Sequence, residues 1–347
     1  MRAQIDVIIE QLPPIIFTSL ASGEIDYYGA SHLLANSLGL KGVPYTRASW
    51  LHGWITYSMI SPDLFVTQES VSCCEVTKVP NLVANKSQEY FLQQNGYPNA
   101  CAVGLPFLYT HNTSVKRLPN SLLIIPAHSI KENNINYEKG RNCLFPEETR
   151  TLREKYSLTA ACIGGFCVQK KNYLAAYEEA GIPWITGAWL HDLNALQRMR
   201  NLLSHFEFVA TNSIGSHIPY AMLCGCKVSY YGEGYNRKRQ DYEKVPVYQN
   251  HPELIDIVME EGKHQKLKKH FPFLFDNTEP TEGLVKWAEQ ILGVEHQIPA
   301  YEIAKLIGWK IRPKDDTSWE YIPEENPGLQ RESLQILQGP NFKNEVY

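Results

Sequence analysis

The chain has 347 residues, 44% hydrophobic and 20% charged, with 33 Lys and Arg against 37 Asp and Glu. That is enough apolar material for a full core, and the length favours two domains over one. A net charge of -4 excludes the strongly basic face that nucleic-acid partners require, and no run approaches the ~18 apolar residues of a membrane-spanning helix.

The first ten residues place Asp6 and Glu10 inside what a signal peptide would need as its apolar core, so a cytoplasmic protein is expected. Strand patterns follow at 14–18, 63–67, 81–84 and 100–104, with a helix over 87–96 capped by Ser87 and ended by Gly96. The stretch 110–120 is polar and poor in strand formers, as a domain boundary would be. Beyond it the grammar becomes regular. Strands are predicted at 122–126, 159–168, 183–186 and 206–210, and helices at 146–156 (opened by Pro146), 171–180 (stopped by Gly181) and 193–203. Strands alternating with helices of this length imply βαβ units on a parallel sheet. From about 295 the chain is polar and proline-containing, and reads as a C-terminal helix and irregular tail. Eight cysteines contain no C-x-x-C pair, which argues against structural zinc; reduced thiols are expected.

Ligands of open α/β sheets bind beyond the C-terminal ends of the strands, so polar residues after each strand are the candidates. His128 and Ser129 follow the strand at 122–126. Asn212, Ser213, Gly215, Ser216 and His217, preceded by Thr211, stand where a strand gives way to a helix; small residues there let an anion approach the backbone closely. This loop is neither a Walker nor a dinucleotide fingerprint. Gly232-Glu233-Gly234 leads into Arg237, Lys238 and Arg239, of which Arg237 could meet a phosphate. Asp192 stands where the helix at 193–203 would be capped. No D-x-D occurs, and carboxylates do not cluster beside the glycine loops, so no metal site is predicted.

Thr211-Asn212-Ser213, Gly215-Ser216-His217 and Gly225-Cys226-Lys227-Val228 together resemble the donor-binding half of GT-B glycosyltransferases and the related polyol-phosphate transferases of bacterial surface polymers. There a Ser/Thr-rich turn, a helix and a G-K-x-V strand make one unit, here with Cys226 inserted before Lys227. The resemblance implies an α/β fold of two Rossmann-like domains facing a cleft, at 1–119 and 120–294, followed by the tail at 295–347. It implies metal-independent transfer of a sugar from a nucleotide-activated donor to a surface glycan such as capsule or O-antigen, with no cofactor beyond the donor itself. A glycan or lipid-linked glycan is the implied acceptor, and peripheral contact with the inner membrane is compatible with it. His52-Gly53 looks like the His-Gly turn placed near the acceptor, making His52 the leading base ahead of His32 and Glu69. Gly232 joins the donor-binding set, and Asp192 and Glu233 are further candidates near the nucleotide or as a carboxylate nucleophile. A CDP-polyol phosphotransferase, a nucleotide-sugar epimerase and a non-catalytic nucleotide- or glycan-binding protein are the alternatives.

Overall fold

The computed structural model describes residues 2–17, 24–44, 46–56, 58–62, 76–128, 141–171, 173–234, 238–243, 245–275, 282–322 and 335–337. The predicted strand at 63–67, together with Glu69, Ser129 and Arg237, lies outside them. The first half contains α1 (Arg2–Gln11), β1 (Ile15–Phe17), α2 (Ala30–Ser37), β2 (Ser49–Trp50), β3 (Asn81–Val83), α3 (Lys86–Gln94) and β4 (Ala100–Ala102). Among the described residues its parallel sheet has three strands, β2-β3-β4, a smaller sheet than a full Rossmann-like half. The predicted strand at 14–18 does form, as β1, but outside that sheet: it pairs antiparallel with β12 (Gln335–Leu337). The cap of the helix expected over 87–96 lies two residues earlier: Asn85, not Ser87, accepts the Gln88 N–H at 3.1 Å, and the helix runs from Lys86.

The second half is doubly wound. It runs β5 (Ser121–Ile125), α4 (Arg141–Glu148), α5 (Arg150–Arg153), β6 (Leu158–Ile163), α6 (Gly165–Gln169), α7 (Leu174–Glu179), β7 (Trp184–Thr186), α8 (Ala195–His205), β8 (Phe208–Thr211), α9 (His217–Leu223) and β9 (Lys227–Tyr230). The five strands form one parallel sheet in the order β7-β6-β5-β8-β9. Every residue of β5, β6 and β8 is buried, which explains their continuous apolar runs: a parallel sheet is covered on both faces. Alternation sorts the side chains between two cores. Leu123, Ile125, Ala160, Cys162 and Val209 face the larger cluster, and Leu122, Ile124, Ala161, Ile163 and Ala210 the smaller.

Two expected elements differ. The segment 159–168 is strand only to Ile163, after which Gly165 opens a helix; the Gly165 backbone lies so close to Trp189 that an added Cβ would stand 2.4 Å from its ring. Pro146 falls inside α4 rather than opening a helix.

After β9 the chain makes α10 (Arg239–Tyr242), α11 (Pro246–Asn250), α12 (Glu253–Glu261), α13 (His264–His270) and α14 (Glu282–Leu292), then returns to the first half. Leu105 N–H donates to Leu292 O at 2.9 Å, and α15 (Ala300–Leu306) packs on α2. The hairpin of β10 (Ile311–Pro313) and β11 (Trp319–Tyr321) follows. Trp309 Nε1–H donates to Thr46 Oγ1 at 2.7 Å and Tyr321 Oη–H to Gly42 O at 2.9 Å, so residues 299–322 are built into the first half rather than forming an irregular tail. Apolar packing also crosses the polar connection at 110–120: the larger cluster draws on both halves. No described helix is long and apolar enough to cross a membrane.

Candidate active site

Counted within its own half, the sheet order is 3-2-1-4-5, so the winding direction reverses between β5 and β8. The crevice beyond the carboxyl ends of those two strands is where open α/β sheets take their ligands. A cavity of about 760 Å³ lies there. Its rim near the sheet is Ile125, Pro126, Ala127 and His128 after β5, and Ser213 to His217 after β8. The first half contributes Tyr28, His52, Trp54, Ile55 and Thr56, so both halves share the cavity.

The crevice is held open by short-range bonds. Asn212 is fully buried, and its Oδ1 accepts the Ala127 N–H at 2.8 Å, tying the two strand ends together. Thr211 is equally buried; its hydroxyl accepts the Ser213 N–H at 3.3 Å and stands 2.9 Å from His217 Nε2. Thr211 and Asn212 therefore shape the loop from beneath and do not line the cavity. Burial pushes the His217 imidazole down to about 3, with the neighbouring His128 adding to the effect, so His217 is neutral over the physiological range. It can orient a ligand by a hydrogen bond but supplies no charge.

The floor requires two further close approaches. An added Cβ on Gly187 would stand 2.6 Å from Cys162 Sγ, and one on Gly164 would stand 3.1 Å from His128 Cβ. Burial pushes the Cys162 thiol up to about 12, which leaves it an inert apolar wall.

His52 sits opposite the Ser213–His217 loop, its ring 5.6 Å from that of Tyr27 and 5.3 Å from that of Tyr28. The backbone on either side of it is bonded to the second half. Trp54 N–H donates to Ser216 Oγ at 2.8 Å, and Tyr220 Oη–H donates to His52 O at 3.0 Å. The Tyr220 ring in turn stacks on Phe107, centroids 3.8 Å apart and planes at 9°.

Of the residues anticipated from sequence, His52, His128, Ser213, Gly215, Ser216 and His217 meet at this cavity. Asp192, Gly232, Glu233 and His32 do not, and Thr211 and Asn212 lie beneath it. Asp192 neither lines the cavity nor caps α8, whose cap position is Asn194. It is fully buried, and its Oδ1 accepts the Ile16 and Asn194 N–H groups, both at 3.0 Å, which fastens β1 to the second half. Burial raises its carboxyl to about 6 against the pull of those two N–H groups and Arg198. Gly232 lies against Glu148 instead, its φ of +77° and missing Cβ accommodating that carboxylate. Glu233 is exposed and outside the lining, and His32 is buried within α2. Arg239 makes an ion pair with Asp256 on the surface.

A whole wall of the cavity went unread: Tyr230, Tyr242, Tyr248, Met259, Lys263 and Leu267, mostly from the helices after β9. Only the Gly262-Lys263 break between two amphipathic helices signalled it.

No family model matches the chain, and no curated protein matches it. Among solved structures it is similar to Staphylococcus aureus MnaA in a co-structure with UDP, at 12% identity and TM-score 0.36, over 69% of this chain and 72% of that one. It is similar to the pneumococcal O-GlcNAc transferase GtfA in complex with UDP and GlcNAc at 16% identity and TM-score 0.29, over 72% of this chain and 53% of that one. A variant of S. aureus TarM with Fondaparinux, alpha-GlcNAc-glycerol and UDP gives 11% identity and TM-score 0.30, over 71% and 51%. The chain thus spans about half the length of the last two. Likeness this loose assigns neither family nor activity; the chain is an α/β protein with parallel sheets and a cavity at the switch point of the larger.

Proposed function

We propose that the chain is a metal-independent glycosyltransferase that takes a sugar from a nucleotide-activated donor to a hydroxyl of a surface-glycan acceptor. The observation that carries this reading is the character of the switch-point cavity. Its volume of about 760 Å³ suits a nucleotide-sized ligand. Its described lining holds His52, His128, His217 and Lys263 and no Asp or Glu. An anion meets no repulsion in such a site, and a divalent cation finds no carboxylate ligand among those residues.

In this reading the donor diphosphate lies against Ser213 and Gly215, with His128 and Lys263 near its charge. The acceptor hydroxyl attacks the anomeric carbon while His52 takes its proton. The bond from that carbon to the donor phosphate oxygen breaks, and the nucleoside diphosphate leaves with the electron pair, its charge met by hydroxyl, backbone and basic donors.

The test is thermal unfolding and calorimetric titration with UDP, CDP, GDP and dTDP, each with magnesium and with EDTA. One base family should raise Tm equally in both conditions, by the increment that mass action gives a ligand of the folded state. Ser213→Ala and His128→Ala should reduce that rise. Stabilisation by CDP alone, followed by phosphoryl rather than sugar transfer, would favour the polyol-phosphate alternative. No stabilisation by any nucleotide would sink the reading.

A further inference from the structure

The two sides of the cavity differ in chemistry. The strand-end loops and the helices after β9 bring Ser213, Gly215, His128 and Lys263, whose hydroxyl, backbone and basic groups suit an anion. The first half presents Tyr28, His52, Trp54, Ile55 and Thr56, which offer aromatic faces and neutral hydroxyls but, among the described residues, no Lys or Arg. Such a wall suits an uncharged, hydroxyl-rich group, whose C–H faces lie against the rings while its hydroxyls exchange hydrogen bonds. Within this wall Tyr28 is set apart by its backbone. It has φ +57° and ψ +19°, the left-handed region that a bulky residue rarely takes. Gly29 follows at φ +77°, and both residues press on the turn before α8. The Tyr28 N–H donates to Leu190 O at 2.8 Å, and an added Cβ on Gly29 would stand 2.0 Å from Leu193 O. Strain of this kind persists only where the surroundings over-determine it, as these contacts between the halves do. What the strained turn delivers is a ring on the cavity wall beside His52, centroids 5.3 Å apart and planes at 42°. Among the described residues the Tyr28 hydroxyl has no hydrogen-bond partner, and it is not one of the polar atoms sealed from solvent. Desolvation pushes the phenol up to about 12, so it keeps its proton and can donate.

We infer that Tyr28 is a substrate-contacting residue whose phenol donates a hydrogen bond to a hydroxyl of the transferred sugar, leaving the nucleoside diphosphate to the opposite side of the cavity. This role rests on the function proposed above, and it puts the sugar on the first-half wall beside His52.

Calorimetric titration of the full chain, wild type against Tyr28→Phe, tests it. The probes are UDP, CDP, GDP and dTDP together with UDP-glucose, UDP-galactose, UDP-N-acetylglucosamine, CDP-glucose, GDP-mannose and dTDP-glucose. The substitution keeps the ring and its contact with His52 and removes only the hydroxyl. The conjugate that wild type binds tightest should lose about three- to tenfold in affinity, the worth of one neutral hydrogen bond, while the matching diphosphate stays within about twofold. Because the hydroxyl bonds nothing in the free protein, Tm without ligand should stay within about 1 °C of wild type. A larger fall would make the hydroxyl a structural group and overturn the assignment. Equal losses for conjugate and diphosphate would overturn it by making Tyr28 a nucleotide ligand, and unchanged affinity for both overturns it outright. Wild type that binds a diphosphate but none of the conjugates overturns it as well, and leaves the nucleotide pocket standing. No binding of any nucleotide by wild type ends the proposed function, and the role of Tyr28 with it.

Discussion

His52 is held from three directions: two aromatic rings against its imidazole, a phenol on its carbonyl and a serine two peptide units along. A side chain whose only duty was to fill a turn would not need this much fixation, whereas proton transfer depends on placement to fractions of an ångström. Replacement by Gln keeps the size and a donor but removes the basic nitrogen. Under the proposed function, His52→Gln should lower sugar transfer by about 100-fold or more, while nucleoside diphosphate affinity stays within about twofold. A turnover assay with sugars of the nucleotide whose diphosphate stabilises wild type, paired with titration of that diphosphate, reads both numbers. Equal loss in affinity and turnover would make His52 a donor ligand. His217, which lines the same cavity, is set apart by its neutrality: its ring is committed beside Thr211 Oγ1 and burial keeps the proton off. Two histidines that look alike in sequence are thereby assigned different work by their surroundings.

Among elements, the strands of the larger sheet were legible because an apolar run buried on both faces leaves its mark on the sequence, and the loop after β8 because small polar residues at a strand-to-helix turn are distinctive. β1 was legible as a strand but not as a partner of β12, since pairing across 317 intervening residues is fixed by tertiary packing alone. Phe166-Cys167-Val168 reads equally well as strand or helix; close packing of Gly165 on Trp189 decides for helix. The wall formed by Tyr242, Tyr248, Met259 and Lys263 carries no motif, for its residues are ordinary members of amphipathic helices that become a site only when folded over the sheet. The return of the chain after α14 was also hidden, yet one glycine carries it. Gly293 has φ +78°, and an added Cβ would stand 1.8 Å from Ala84 O at the end of β3. Gly308 has φ +85° with nothing within 4 Å. Both positions strain an alanine, but only the first forces backbones apart. Gly308→Ala should cost about 1 kcal/mol and Gly293→Ala about 3 kcal/mol or more, with the larger fall in Tm. Equal costs in denaturant titration would mean that the return segment does not press on β3 in solution.

On the scale of the whole molecule, two titrating groups shifted by burial make stability depend on pH in opposite senses. His217 at the start of α9 has its pKa lowered from 6.5 to about 3, and Asp192, bonded to β1, has its pKa raised from 3.8 to about 6. Between those limits the unfolded chain takes up a proton at His217 that the folded chain refuses, so this contribution is complete above 6.5 and lost as pH falls towards 3. His205, also lowered by burial, has the same sign. Asp192 runs the other way: the folded chain keeps a proton that the unfolded chain releases, so its contribution is complete below 3.8 and lost as pH rises through about 6. Over the shared window, roughly pH 4 to 6, the two slopes oppose, each at most about 1.4 kcal/mol per pH unit. Single variants should separate them. Relative to wild type, Asp192→Asn should make stability climb more steeply with pH across this window, and His217→Gln should make it climb less or decline. Urea midpoints at half-unit steps from about pH 4 to 7, taken as differences from wild type so that the other carboxylates cancel, provide the measurement. Parallel curves for wild type and His217→Gln would mean that His217 is protonated in the folded protein, and with it that the loop at the switch point offers a bound diphosphate a positive charge rather than a neutral ring.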